Sequence, residues 1–276
     1  MSSWRLVRFT GKFRANNDNH LGGRDANAML AIAKLSILAA VFAMPAHAAE
    51  VRVFSSNALK TVLEELAPQF EKASGHKLIV TFKSAAALKV DIEKGEACDV
   101  AILTTSALDD LIKQGKLTAA TRTEIARSGA GVAVRKGAPK PDISTTEAFK
   151  RAMLNAKSIT FVEQGATGIY LKTLFVRLGI ADELKPKIKL AATAAAEYVA
   201  RGEAEIGMTQ ISEILPIAGA ELVGPLPPEI QAYTNFPAAV SANTKVAEPA
   251  SALIKYLTTP EASAVLKAKG LEPVGR

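Results

Sequence analysis

Five short segments hold the side chains whose types and spacing could do chemistry: Ser55-Ser56-Asn57, Lys83-Ser84-Ala85, Thr104-Thr105-Ser106, Gly165-Ala166-Thr167-Gly168 and Thr209-Gln210-Ile211-Ser212. Each is rich in hydroxyl, amide or glycine, each follows a β-type run, and most open a helical run. Hydroxyl and amide groups donate hydrogen bonds in fixed directions without carrying charge. A helix start adds unpaired backbone N–H groups and the positive end of a dipole, so the combination suits a small anion. Any one segment would serve equally as an ordinary helix cap. Recurrence at equivalent strand ends is what points to a common ligand site. The candidate ligand-binding residues are Ser55, Ser56, Asn57, Ser84, Ala85, Thr104, Thr167, Gly168 and Gln210. Tyr170, just inside the helix that starts near Gly168, either lends its hydroxyl to the ligand or packs its ring in the core.

The same survey offers little for catalysis. His76 is the only histidine beyond residue 48, and it lies between the first helix and the second strand, at the end opposite the polar loops. A Ser-His-acid triad is therefore hard to assemble. One histidine and one cysteine give no paired metal-ligand spacing. The acid pairs Glu64-Glu65 and Asp109-Asp110 fall on or near polar helix faces and read as solvated. Gly129-Ala130-Gly131 lacks the full dinucleotide fingerprint and precedes a strand instead of following one. Cys98 is the only cysteine, which excludes an intrachain disulfide, and its setting in an apolar strand reads as a small buried side chain. These readings give a non-enzymatic chain with no metal and no cofactor.

The elements that must position the loops alternate between β-rich runs and amphipathic helices, as in an α/β protein. Val51 to Phe54 reads as a strand. Residues 57 to 73 follow as a helix, with Leu59, Val62, Leu63, Leu66 and Phe70 at spacings of three and four and Gly75 as its stop. Leu78 to Phe82, Ala86 to Lys94 and Val100 to Leu103 continue the pattern as strand, helix and strand. Such β-α-β-α-β order implies parallel strands with right-handed crossovers. After the break Ser128-Gly129-Ala130-Gly131 the pattern restarts with a strand at Val132 to Arg135, a helix from Thr146 to Asn155 capped by Ser144 or Thr145, a strand at Ser158 to Val162, a helix at 168 to 178 and a strand at Gly207 to Ile211. Phe236 to Ser241 reads as a strand returning to the first half, followed by helices near Pro249 to Leu257 and Pro260 to Lys269. The expected organisation is domain I at residues 50–128 plus 237–276, domain II at residues 129–236, and a ligand cleft between the two.

Residues 1–48 read as an export signal peptide. Basic residues precede the apolar run Leu35 to Met44, Pro45 breaks it, and Ala46-His47-Ala48 supplies a small-x-small cleavage pattern. The run is too short to span a bilayer. A cleaved leader places the mature chain in the periplasm. The leader carries six Lys or Arg against two Asp, so the formal charge falls from +7 to +3 on its removal. With no basic run and no interleaved aromatics, that balance gives no case for nucleic-acid binding. Apolar residues make up 49% of the chain, enough for substantial cores in one large or two small domains.

Val53-Phe54-Ser55-Ser56-Asn57-Ala58-Leu59, Ala67-Pro68-Gln69-Phe70-Glu71 and Ile92-Glu93-Lys94-Gly95-Glu96-Ala97-Cys98-Asp99-Val100 resemble the molybdate-binding proteins of bacterial ABC importers, as do the later Thr167-Gly168-Ile169-Tyr170, Arg201 to Gly207 and Tyr256 to Ala262. The resemblance implies a two-lobed type II periplasmic-binding-protein fold, each lobe a mixed sheet flanked by helices with a cleft between. It further implies a monomer that captures a small anion, a molybdate-type oxyanion, and delivers it to an ABC permease. The family holds its ligand with hydroxyl donors. At the best-matching positions this chain has Ala58, Ala85 or Ala86, and Gln210, with Ser55, Ser56, Asn57 and Ser84 beside the gaps. A carboxylate or other differently shaped anion would tolerate alanine there and could use Lys60 or Lys83 as countercharge, although both lysines also read as solvent-facing. The alternatives are therefore a binding protein for an organic carboxylate or other small anion, or a periplasmic sensor domain.

Overall fold

The structure, a computed structural model, describes residues 48–192 and 194–274. The leader reading thus lies outside the described residues except for Ala48.

Among the described residues ten strands form the scaffold: β1 (Glu50–Ser56), β2 (Lys77–Lys83), β3 (Val100–Ile102), β4 (Thr123–Arg135), β5 (Ile159–Phe161), β6 (Ile188–Leu190), β7 (Ile206–Gln210), β8 (Ala220–Pro225), β9 (Tyr233–Val240) and β10 (Glu272–Pro273). Their order is β2-β1-β3-β9-β4-β7-β5-β6, with β8 and β10 also paired to β4. In the first half β2, β1 and β3 are parallel, as the β-α-β order requires, and β9 joins β3 antiparallel. In the second half β6, β5 and β7 are parallel, and β7 pairs antiparallel with β4. The fold is α/β with mixed pairing.

β4 is where the sequence reading is corrected. Residues 128–131 were expected to interrupt the chain, yet they run inside one continuous strand of 13 residues. Its first part pairs with β9 and its last part with β7 and β8, so one strand belongs to both halves. Glycine disfavours strands, but here its lack of a side chain admits neighbours. A Cβ on Gly131 would lie 2.8 Å from Ile211 Cγ1, and one on Gly129 would lie 3.1 Å from Gln231 Nε2.

Among the described residues ten α-helices cover the sheet: α1 (Lys60–Ser74), α2 (Ala85–Glu93), α3 (Thr105–Lys113), α4 (Thr146–Asn155), α5 (Ala166–Arg177), α6 (Ala181–Leu184), α7 (Ala195–Ala200), α8 (Ile211–Ile214), α9 (Ala247–Tyr256) and α10 (Pro260–Ala268). The apolar stripe predicted for α1 is buried at Val62, Leu63, Leu66 and Phe70, and the helix ends on Gly75 at φ 74°. That stripe packs on Val51, Val53, Phe236, Leu253 and Leu266. The opposite face of the same sheet carries Phe54, Leu88, Leu103, Leu108 and Leu111. A separate core around Phe149, Met153, Phe161, Phe175 and Met208 holds the second half together. Two lobes, each with its own core, follow from this division.

Thr145 caps α4 by accepting from the Ala148 N–H at 3.1 Å. Thr145→Ala is expected to cost about 1 kcal/mol and to lower the melting temperature by about 2–4 °C, measured by calorimetry.

Candidate functional site

Loops at the carboxyl ends of the parallel strands meet around one cleft of about 1320 Å³. From the first lobe come residues following β1, β2 and β3; from the second come residues following β5, β6 and β7, with Thr234 to Phe236 at the join. This is the usual ligand position in an open α/β sheet, because side chains and helix starts project there while the opposite edge is occupied by returning connections.

Eight of the candidate residues line this cleft: Ser56, Asn57, Ser84, Ala85, Thr104, Thr167, Gly168 and Gln210. Two do not. Ser55 is fully buried, and its hydroxyl donates to the Ser56 carbonyl at 3.2 Å. Alternation along β1 turns Ser55 inward, one residue short of the strand end. Tyr170 packs against the core of the second lobe and donates its hydroxyl to the Ile230 carbonyl at 2.7 Å. Of the two proposed countercharges, Lys60 lines the cleft with Glu64 at 3.9 Å, whereas Lys83 lies outside it, paired with Asp91 at 2.7 Å. The sequence reading also places Asp110 on a solvated helix face, but it contributes to the cleft wall while pairing with Lys113 at 3.8 Å.

The helix starts differ in what they leave open. Ser84 caps α2 by accepting from the Ala87 N–H at 3.2 Å. Thr104 and Gly165, which precede α3 and α5, make no side-chain cap. The first turns of both helices thus lack a side-chain cap, and residues of each line the cleft from opposite lobes at a positive dipole end.

Gln210 is the centre of the polar network. Its Nε2 donates to Thr167 Oγ1 at 2.7 Å and to Thr234 Oγ1 at 3.0 Å, which leaves both threonine hydroxyl protons free to donate to a ligand. Gln210 is only 4% exposed and Ser212 only 2%, yet Gln210 Oε1 and Ser212 Oγ have no partner in the protein. Orphaned polar atoms at that depth cost about 1–3 kcal/mol each, which makes this turn the least satisfied part of the cleft wall.

Sequence reasoning passed over several cleft residues, among them Glu163, Glu197, Thr234 and Glu213. Glu213 sits in the first turn of α8, directly after the Thr209 to Ser212 segment. An acid in a first turn is ordinary dipole chemistry, so position alone gave little signal beyond adjacency to that segment. The Thr209 hydroxyl donates to Glu213 Oε2. Burial pushes the Glu213 carboxyl up, partly offset by the Thr209 hydroxyl and the Gln210 N–H. The other cleft acids each have a cation within 4.0 Å at the surface: Glu163 has Lys172 at 3.3 Å, Glu197 has Arg201 at 3.6 Å and Asp110 has Lys113.

Elsewhere, Cys98 is buried, its thiol pushed up to about 12 by desolvation, and it donates to the Val100 carbonyl. Such a thiol carries almost no reactive thiolate. His76 accepts from the Ala49 N–H at 3.3 Å, outside the cleft. Among the described residues no group of three His, Cys, Asp or Glu side chains could hold a metal ion, and no helix is long and apolar enough to cross a membrane.

A family model for bacterial extracellular solute-binding proteins matches residues 51–272. The chain is 34% identical to an aconitate isomerase from Pseudomonas sp. over 229 residues, covering 80% of this chain and 87% of that protein. It is 26% identical to the molybdate-binding protein ModA of Escherichia coli over 227 residues, covering 80% and 88% of the two chains. The solved periplasmic molybdate-binding protein of Azotobacter vinelandii superposes with a TM-score of 0.69 at 21% identity, over 82% of this chain and 99% of that one. The resemblance to the molybdate-binding proteins and the fold class both hold. The expectation of a non-enzymatic chain does not: a relative this similar over most of its length carries the name of an enzyme. The sequence reading looked for a histidine base, a nucleophile or a metal, and an isomerase needs none of these when one desolvated carboxyl can carry a proton.

Proposed function

Because the chain belongs to the bacterial extracellular solute-binding protein family, we propose that its interlobe cleft captures a small unsaturated polycarboxylate of the aconitate type and isomerises it. The observation that carries this reading is the pair of uncapped helix starts at Thr104 and Gly165, which offer anion-binding positions on opposite walls. A polycarboxylate presents separated negative groups to both. The similarity to aconitate isomerase supports the same substrate class. So do Ala58 and Ala85, which put methyl groups in the cleft wall where the molybdate-binding resemblance implies hydroxyls. Thr167 and Thr234 would donate to carboxylate oxygens, and Lys60 would supply countercharge at the rim. Closure of the two lobes on the ligand would exclude water from the reacting carbons. The leader reading places the mature monomer in the periplasm.

Capture of a molybdate-type oxyanion for an ABC permease is the second reading, favoured by the molybdate-binding relatives. One experiment separates the two. trans-Aconitate at about 100 times its Kd is expected to stabilise the protein by about 2.7 kcal/mol, a rise in melting temperature of about 5–10 °C, while molybdate, tungstate and sulfate leave it unchanged. Proton NMR of the same mixture is expected to show conversion between the trans and cis isomers. Stabilisation by molybdate with none by aconitate would replace the first reading with the second.

A further inference from the structure

Resting on the isomerase reading, we propose that Glu213 is the catalytic residue that moves the proton: it takes one from the methylene carbon of the bound unsaturated polycarboxylate and returns it to the far carbon of the same three-carbon unit. In aconitate a CH2 and a vinylic CH flank one carboxyl-bearing carbon. Breaking a C–H bond at the CH2 leaves an electron pair shared over the three carbons and their carboxylates. Forming a C–H bond at the other end shifts the double bond and exchanges the isomers. One proton leaves and one returns, with no oxidant, reductant or co-reactant.

The placement of Glu213 is what singles it out. Four acids line the cleft, and it alone has no cation within 4.0 Å among the described residues. Thr209 holds Glu213 Oε2, and the neighbouring Gln210 Oε1 and Ser212 Oγ stand unpartnered in the same turn. The substrate is thereby expected to dock against α8, next to the carboxyl. Desolvation, with no charged side chain contributing to the shift, raises the proton affinity of Glu213, as suits a group that accepts a carbon-bound proton. No histidine lines the cleft, and of its lysines Lys89 is paired with Glu93 at 2.7 Å and Lys60 lies on the exposed rim.

The test uses the purified chain with trans-aconitate in D2O, reading interconversion and deuterium uptake by NMR and affinity by calorimetry. For Glu213→Gln, turnover and deuterium uptake are expected to fall about 100- to 10,000-fold while Kd stays within about threefold. Glu213→Asp, which retains the acid on a shorter reach, is expected to bind normally and turn over more slowly, and it carries the test should the glutamine variant fail to fold. Turnover near the wild-type rate in either variant overturns the assignment, as does a Glu213→Gln loss of binding that matches its loss of turnover. A wild-type chain that binds aconitate but neither interconverts it nor takes up deuterium overturns the isomerase reading itself, and the two failures are thus distinguishable.

Discussion

Gly168→Ala is expected to lower stability by about 1–3 kcal/mol or more, and the melting temperature by about 3–10 °C, while also weakening ligand binding. The cause is a close approach between the start of α5 and the end of β5. A Cβ at Gly168 would lie 2.0 Å from the Val162 carbonyl oxygen and 2.9 Å from the carbonyl carbon. Both are backbone atoms, so no rotamer change relieves the clash and the helix start must lift. Lifting it displaces Thr167, which lies 2.7 Å from Gln210, and the uncapped first-turn N–H groups. Gly137→Ala provides the contrast: its φ of 79° is strained for alanine, but nothing lies within 4 Å. That variant is expected to cost only the left-handed penalty of about 1–2 kcal/mol and to leave ligand binding intact. Calorimetric melting with and without aconitate checks both. Equal loss of ligand affinity in the two variants would remove the close-packing explanation.

Gln210→Leu is expected to raise the Kd for the ligand about 10- to 100-fold, in line with loss of roughly 1.5–3 kcal/mol from hydrogen bonds to a charged group. The substitution takes away the amide that both Thr167 and Thr234 accept from, so each hydroxyl is free to rotate its proton away from the ligand. Melting without ligand is expected to change little, because the variant also removes the buried, unpartnered Oε1. A titration of the variant against wild type, with melting curves of both apo proteins, gives the two numbers. Unchanged affinity would show that the network only fills space.

Raised proton affinity at Glu213 has a further consequence for stability. In the window from the usual glutamate value up to its raised folded value, the unfolded chain gives up a proton that the folded chain keeps. Stability therefore falls as pH rises through that window. Glu213→Gln is expected to remove this slope, leaving the variant at least as stable as wild type at neutral pH, as denaturant melts at several pH values will read.

Much of this protein was legible in the residues alone. The stripe Val62, Leu63, Leu66, Phe70 and the glycine at 75 gave α1 and its end, because a 3.6-residue period and a left-handed cap are local features. The order of strands and helices gave parallel pairing in the first half, since short crossovers allow little else, whereas β6 and β8 went unread and the strand at 132–135 pairs antiparallel with β7. Five polar segments pointed to a strand-end site, and residues from all five line the cleft. The glycines of β4 were misleading. They read as a break because the partners that fill the space above them, Ile211 and Gln231, are distant in sequence.

Composition and spacing by themselves determined most element types, the parallel first half, the anion-suited loops and the family resemblance, all of which depend on near neighbours along the chain. Tertiary structure alone decided which side of each loop faces the cleft. It turned Ser55 inward and Ser56 to the cleft, committed Tyr170 to a carbonyl 60 positions away, and set Glu213 in a part-buried cleft wall with no cation within 4.0 Å among the described residues. The physical reason is that burial, proton affinity and hydrogen-bond partnership are properties of the surroundings of a side chain, and those surroundings are assembled here from segments that meet only when both lobes have folded.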